Sequence, residues 1–82
     1  MKMKTRRVVD AGSLYAEVGQ LIKAERNRQQ ATQNAAAFLL GVSRTQLTNI
    51  ERGASAVMLP HLYNLALAWG VPITRFLPKV TS

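Results

Sequence analysis

Between Ser43 and Arg52 the chain reads Ser-Arg-Thr-Gln-Leu-Thr-Asn-Ile-Glu-Arg. Leu47 and Ile50 stand three residues apart and mark the inward stripe of a helix. Arg44, Thr45, Gln46, Thr48 and Asn49 fall outside that stripe, and every one is polar. A merely solvated helix face tends to carry Glu and Lys. This face carries side chains with matched donors and acceptors. Arginine can grip guanine through two parallel hydrogen bonds, glutamine or asparagine can do the same for adenine, and a threonine methyl can touch a thymine methyl. A helix with this face is chemically equipped to read base edges in a major groove.

The elements around it follow from local signals. Thr32 is a helix N-cap, and the alanine- and leucine-rich run Gln33 to Leu40 is a strong helix former that Gly41 stops. Ser43 caps the next helix, which runs to Arg52 and ends at Gly53. Only Gly41 and Val42 join these two helices, so they must cross steeply, and Ala37 is small where they meet. An earlier helix is expected from an N-cap at Ser13 to about Arg28, with Leu14, Val18, Leu21, Ile22 and Glu25 on one face. A fourth covers Leu59 to Trp69, with Leu59, Leu62, Tyr63, Ala66 and Trp69 on one side, and Gly70 closes it. Pro72 opens a short fifth helix through Leu77, where Pro78 blocks continuation. No segment alternates with a period of two. The expected architecture is all-α, a compact five-helix bundle over residues 13–78, with a basic arm at 1–12 and a tail at 79–82.

Charge points the same way as the polar helix face. The chain of 82 residues carries 11 Lys and Arg against 4 Asp and Glu, a net charge of +7. Such a field favours a polyanion. Lys2, Lys4, Arg6 and Arg7 cluster ahead of Asp10 and are expected to add arm contacts to it, while Val8 and Val9 beside them are apolar. There is no cysteine, so neither a disulfide framework nor cysteine-ligated zinc is expected, and no metal or cofactor. The single histidine, His61, reads as a surface residue. Glu17 and Glu25 lie two helical turns apart, so no carboxylate pair suggests an enzyme. No apolar run approaches the ~20 residues of a membrane helix, and no apolar segment follows the N-terminal charges as in a secretory signal. A cytoplasmic protein associated with a bacterial or phage nucleoid is the expectation, without a membrane partner.

The combination Thr32-Gln33 … Ala37 … Gly41-Val42-Ser43-Arg44 … Leu47 … Ile50-Glu51-Arg52-Gly53, followed by Leu59-Pro60 and the Trp69-Gly70-Val71 ending, resembles the XRE, or Cro- and phage-repressor-like, helix-turn-helix family. The resemblance covers about residues 14 to 77 and implies a lambda-repressor-like DNA-binding domain. It implies base reading by Arg44, Thr45, Thr48 and Asn49, and phosphate contacts from Gln33, Ser43, Gln46 and Arg52. It also implies an ion pair between Arg26 and Glu51 that ties the first helix to the end of the reading helix. One short reading helix covers only a few base pairs, so a homodimer on a palindromic double-stranded operator is expected. The family's usual dimer surface implicates Leu59, Trp69, Val71, Pro72, Ile73 and Phe76.

The chain departs from the family pattern in three places. Gln30 and Ala31 stand where a glycine and a large apolar residue are common. Ala36 replaces a leucine, and Trp69 is the candidate that fills the lost volume. Ala35, Phe38 and Leu39 replace polar residues, so Phe38 and Leu39, with Trp69 and Phe76, are candidates for a protein interface. The function expected is a sequence-specific transcriptional regulator acting as a repressor. The alternative is an antitoxin or accessory regulator that binds a partner protein at the second helix and controls its own promoter.

Overall fold

The computed structural model describes residues 10–79. Among them are four α-helices and one 3-10 turn: α1 (Ala11–Arg28), α2 (Gln33–Leu40), α3 (Arg44–Glu51), α4 (Leu59–Trp69) and the turn Ile73–Phe76. The fifth helix expected from Pro72 to Leu77 is therefore corrected to a 3-10 turn. Its bonds span three residues, from the Arg75 N–H to the Pro72 carbonyl at 2.9 Å and from the Leu77 N–H to the Thr74 carbonyl at 3.1 Å. Two prolines six residues apart leave no room for a full α-helical turn to propagate.

The start of α1 is the second correction. The cap is Asp10, whose Oδ2 accepts from the Ser13 N–H at 3.1 Å. Ser13, read above as the cap, lies within the first turn, and Ala11 and Gly12 belong to the helix rather than to an arm. Aspartate and serine cap comparably well, and three residues of permissive composition let the earlier one win. The expected arm contacts Lys2, Lys4, Arg6 and Arg7 lie outside the described residues.

The remaining helix ends are closed locally. Thr32 Oγ1 accepts from the Ala35 N–H at 3.1 Å, and Ser43 Oγ accepts from the Gln46 N–H at 3.0 Å. At the α2–α3 turn Gly41 takes φ +81°, a conformation that costs glycine nothing and lets Gly41 and Val42 both donate to the Ala37 carbonyl.

The core joins all five elements. Val18 and Ile22 of α1, Ala36, Ala37 and Leu40 of α2, Leu47 and Ile50 of α3, and Leu62, Leu65 and Ala66 of α4 are buried with Val57 and Phe76. α3 packs against α1 and α2, α4 packs against α2, and the 3-10 turn closes over α1 and α4. Gly19 sets the α1–α3 approach: a Cβ there would run into the Ile50 carbonyl oxygen. Phe76 has no exposed surface, which withdraws it from the candidate protein interface. Trp69 is half-buried against the core with its ring 6.3 Å from that of Phe76, so most of its apolar surface is used within the chain.

Candidate nucleic-acid interface

The crossing of α2 and α3 places two helix N-termini and one polar helix face on the molecule's exterior. Leu47 and Ile50 are sealed in the core, and Arg44, Thr45, Gln46 and Arg52 are exposed, with Thr48 and Asn49 half-buried between them. The Arg44 guanidinium forms no ion pair among the described residues. It keeps all five donors for an external acceptor. Thr48 is different. Its hydroxyl donates to the Arg44 carbonyl at 3.0 Å, which spends the donor and leaves the methyl and an oxygen lone pair for contact. The Asn49 carbonyl accepts from the Ala54 and Ser55 N–H groups at 2.8 and 3.3 Å, which anchors the loop that follows the helix.

Each N-terminus retains donors. In α2 the side chain and carbonyl of Thr32 occupy the Ala35 and Ala36 N–H groups, and those of Gln33 and Asn34 have no intrahelical acceptor. In α3 Ser43 does the same for Gln46 and Leu47, which leaves the Arg44 and Thr45 N–H groups. Because Ser43 Oγ acts as acceptor in the cap, its hydroxyl proton is available to donate outward. Backbone donors at a helix start, aided by the helix dipole, form a good environment for a phosphate oxygen.

Behind this surface sits a buried ion pair. Arg26 Nε donates to Glu51 Oε2 at 2.7 Å and Arg26 Nη2 to Oε1 at 3.1 Å, so the pair is bidentate. The side chains are 11% and 3% exposed. Arg26 Nη1 also donates to the Ala31 carbonyl at 3.1 Å, in the α1–α2 turn. Gln33 Nε2 donates to Glu51 Oε1 at 3.3 Å. One ion pair therefore links α1, the turn, α2 and the end of α3.

A second buried carboxylate, Glu25, has a structural part that its place on the inner face of α1 did not reveal. Its Oε1 accepts from Arg75 Nη1 at 2.8 Å and Arg28 Nε at 3.0 Å, and its Oε2 from Gln29 Nε2 at 2.8 Å. Burial pushes this carboxyl up. The hydrogen bonds from Gln29, Arg75 and Arg28 outweigh it and hold the group below the usual glutamate range. The one available signal was an acidic residue on an apolar face, and its partner Arg75 lies 50 residues away.

Three apolar features lie apart from the polar face. Phe38 is 84% exposed on α2, while Leu39 beside it is half-buried against the core. On α4, Leu59, Tyr63 and Leu67 are exposed at four-residue spacing on a helix with no Asp, Glu, Lys or Arg. Val71 and Ile73 are half-buried against the core, and Pro72 is exposed. His61 Nδ1 accepts from the Met58 N–H at 3.4 Å and so acts within the start of α4. No group of three or more metal-ligating side chains occurs among the described residues, and no helix among them is long and apolar enough to cross a membrane.

This arrangement recurs in known proteins. The helix-turn-helix family model HTH_3 matches residues 22–76. The chain is 37% identical over 73 residues to a Thermococcus kodakarensis protein provisionally named an HTH-type transcriptional regulatory protein, an alignment covering 80% of this chain and 23% of the other. It is 36% identical over 61 residues to an uncharacterized transcriptional regulator in the ATPase CF(0) region of Rhodospirillum rubrum, covering 74% of this chain and 56% of that one. The chain thus spans about a quarter and just over half of the length of these two curated relatives. Its fold is similar to the crystal structure of the restriction-modification controller protein C.AhdI from Aeromonas hydrophila, with a TM-score of 0.69 and 27% identity over 76% of this chain and 94% of that chain.

Proposed function

Because the chain belongs to the HTH_3, or XRE- and Cro-like, helix-turn-helix DNA-binding family, we propose that it is a transcriptional regulator that binds a palindromic operator as a homodimer and represses from it. The observation that carries this reading is the α3 exterior, where Arg44, Thr45 and Gln46 stand exposed ahead of Thr48 and Asn49, over a core-locked Leu47 and Ile50. Arg44, Thr45, Thr48 and Asn49 read bases. Thr48 does so through its methyl and lone pair, since its proton is spent. Gln33, Ser43, Gln46 and Arg52 hold phosphates and set the register. The α4 face of exposed Leu59, Tyr63 and Leu67 supports dimerisation, because two copies of a basic chain can bury apolar surface there without bringing charged side chains of this helix together. The likeness to a restriction-modification controller protein supports a regulatory role for this fold.

Selection of bound sequences from random duplex DNA tests this. The expected result is an inverted repeat with half-sites about one helical turn apart. A non-palindromic consensus or no enrichment would overturn the dimeric readout. The 84% exposure of Phe38 favours a second reading, in which α2 also binds a partner protein as an antitoxin or accessory regulator does. Co-purification of one defined protein that Phe38→Ser abolishes, with operator binding retained, would establish that reading.

A further inference from the structure

We infer that Glu51 is a positioning residue for the DNA-backbone contact of Gln33, a step that rests on the phosphate role given to Gln33 above. A carboxamide has two unlike ends, an NH2 with two donors and an oxygen that only accepts. Left free at a surface, the group presents either end to an approaching anion. Gln33 is not free. Its Nε2 lies 3.3 Å from Glu51 Oε1, and the reverse orientation would set the amide oxygen against a carboxylate oxygen. The carboxylate therefore selects one of the two amide orientations, with one N–H directed at Glu51 and one left over.

The carboxylate can do this because it is itself immobile. Two donors of Arg26 clamp it, and a third donor of the same guanidinium grips the Ala31 carbonyl just ahead of α2. The Glu51 side chain is 3% exposed, so water competes little for its lone pairs. Gln33 is the first residue of α2, with the unfilled N–H groups of Gln33 and Asn34 beside it. The remaining side-chain N–H joins those backbone donors, and a phosphate oxygen meets donors alone. Glu51 closes α3 in sequence and reaches the start of α2 in space. It thereby couples the orientation of a phosphate donor on one helix to the seating of the reading helix.

The test is a double-mutant cycle in operator affinity on the full chain, by fluorescence anisotropy, with Gln33→Ala, Glu51→Gln and the double variant. Gln33→Ala is expected to weaken binding about three- to tenfold on every duplex, the worth of one pre-ordered polar side chain. Glu51→Gln weakens binding too, and its penalty shrinks by about that factor in the Gln33→Ala background. Folding stability, measured in parallel, shows no matching coupling, which separates positioning from a purely structural role. If both single variants weaken binding and their effects multiply, the inference is overturned and the phosphate contact stands. If Gln33→Ala leaves affinity unchanged, the phosphate contact itself is wrong and the inference falls with it. Should Glu51→Gln fail to fold, the wild-type Gln33 side-chain amide decides by NMR. One Hε2 proton shifted downfield and slowed in exchange supports the link, and two solvent-like protons overturn it.

Discussion

The two buried carboxylates tie the end of α1 to different elements and are held in different ways. Glu51 is clamped mainly by one arginine, Arg26, whose side chain is itself only 11% exposed. Glu25 is shared by two arginines that are 63% and 41% exposed, and by Gln29. The first site seats α3, the helix proposed to read bases. The second pins the 3-10 turn, and with it Phe76, to α1. A buried charge with one arginine has no second cation when that arginine is removed, whereas a charge shared by two arginines keeps one. α3 thus hangs on the less redundant of the two sites.

The largest expected effect follows from that difference. Arg26→Ala leaves Glu51 buried without a cation, with only the Gln33 amide donating to it, and should cost about 3–5 kcal/mol by chemical denaturation. That is a large share of the roughly 4–12 kcal/mol that holds a domain of this size together. A loss under about 1 kcal/mol would show the site to be wetter than its burial indicates, and the contrast with Glu25 would collapse.

An arginine that meets neither carboxylate sharpens the comparison from outside. Arg44→Ala should leave stability within about 0.5 kcal/mol, as for a surface change. It should cost about 1–3 kcal/mol in operator affinity and relax preference at one position of each half-site. Side-by-side melting curves and binding isotherms check both halves. A drop in stability equal to the drop in affinity would return Arg44 to a structural part.

At the Glu25 site the expected cost is smaller. Arg75→Ala leaves Gln29 and Arg28 on the carboxylate and should cost about 1 kcal/mol. Its pH dependence carries the diagnosis. The folded carboxyl is held below its unfolded value, so the stability it contributes is present above the unfolded pKa and is lost as pH falls through the folded pKa. The gap between wild type and Arg75→Ala should therefore be constant near neutrality and close in acid. A gap that persists below the carboxylate range would assign Arg75 a packing role instead of an electrostatic one.

What could be read in the sequence divides along the same line. The bounds of α2, α3 and α4 were legible, because Thr32, Ser43, Gly41 and Gly70 are local stop and start signals whose chemistry does not depend on the rest of the chain. The start of α1 was not, since Asp10 and Ser13 are both competent caps and only the whole helix chooses. The element after Pro72 has the right residues for a helix but too few between its prolines. The polar set on α3 stood out by residue type. The Glu25 site did not, because Arg75 enters it from 50 residues away, and Phe76 could not be told from an interface residue until the turn that carries it was seen to fold inward.

The smallest expected effect lies in the turn between the two carboxylates. Gln30 adopts φ +57°, in the left-handed region, at a position where the resemblance leads one to expect glycine. The strain is tolerated because the turn is tied on both sides: the Gln30 N–H donates to the Asn27 carbonyl at 3.0 Å, and the Ala31 N–H to the Arg26 carbonyl at 3.0 Å. The Ala31 carbonyl then receives Arg26 Nη1, so the same arginine that clamps Glu51 also holds the strained corner. A left-handed conformation costs a non-glycine residue about 1–2 kcal/mol, and glycine gives back about 0.5–1 kcal/mol in chain entropy. Gln30→Gly should therefore stabilise the domain by up to about 1 kcal/mol, seen as a rise in melting temperature of up to about 4–8 °C. The gain should vanish in an Arg26→Ala background if the arginine is what holds the turn in this shape. An equal gain in both backgrounds would show that the turn is set by its own backbone bonds, and that the buried pair reaches no further than α3.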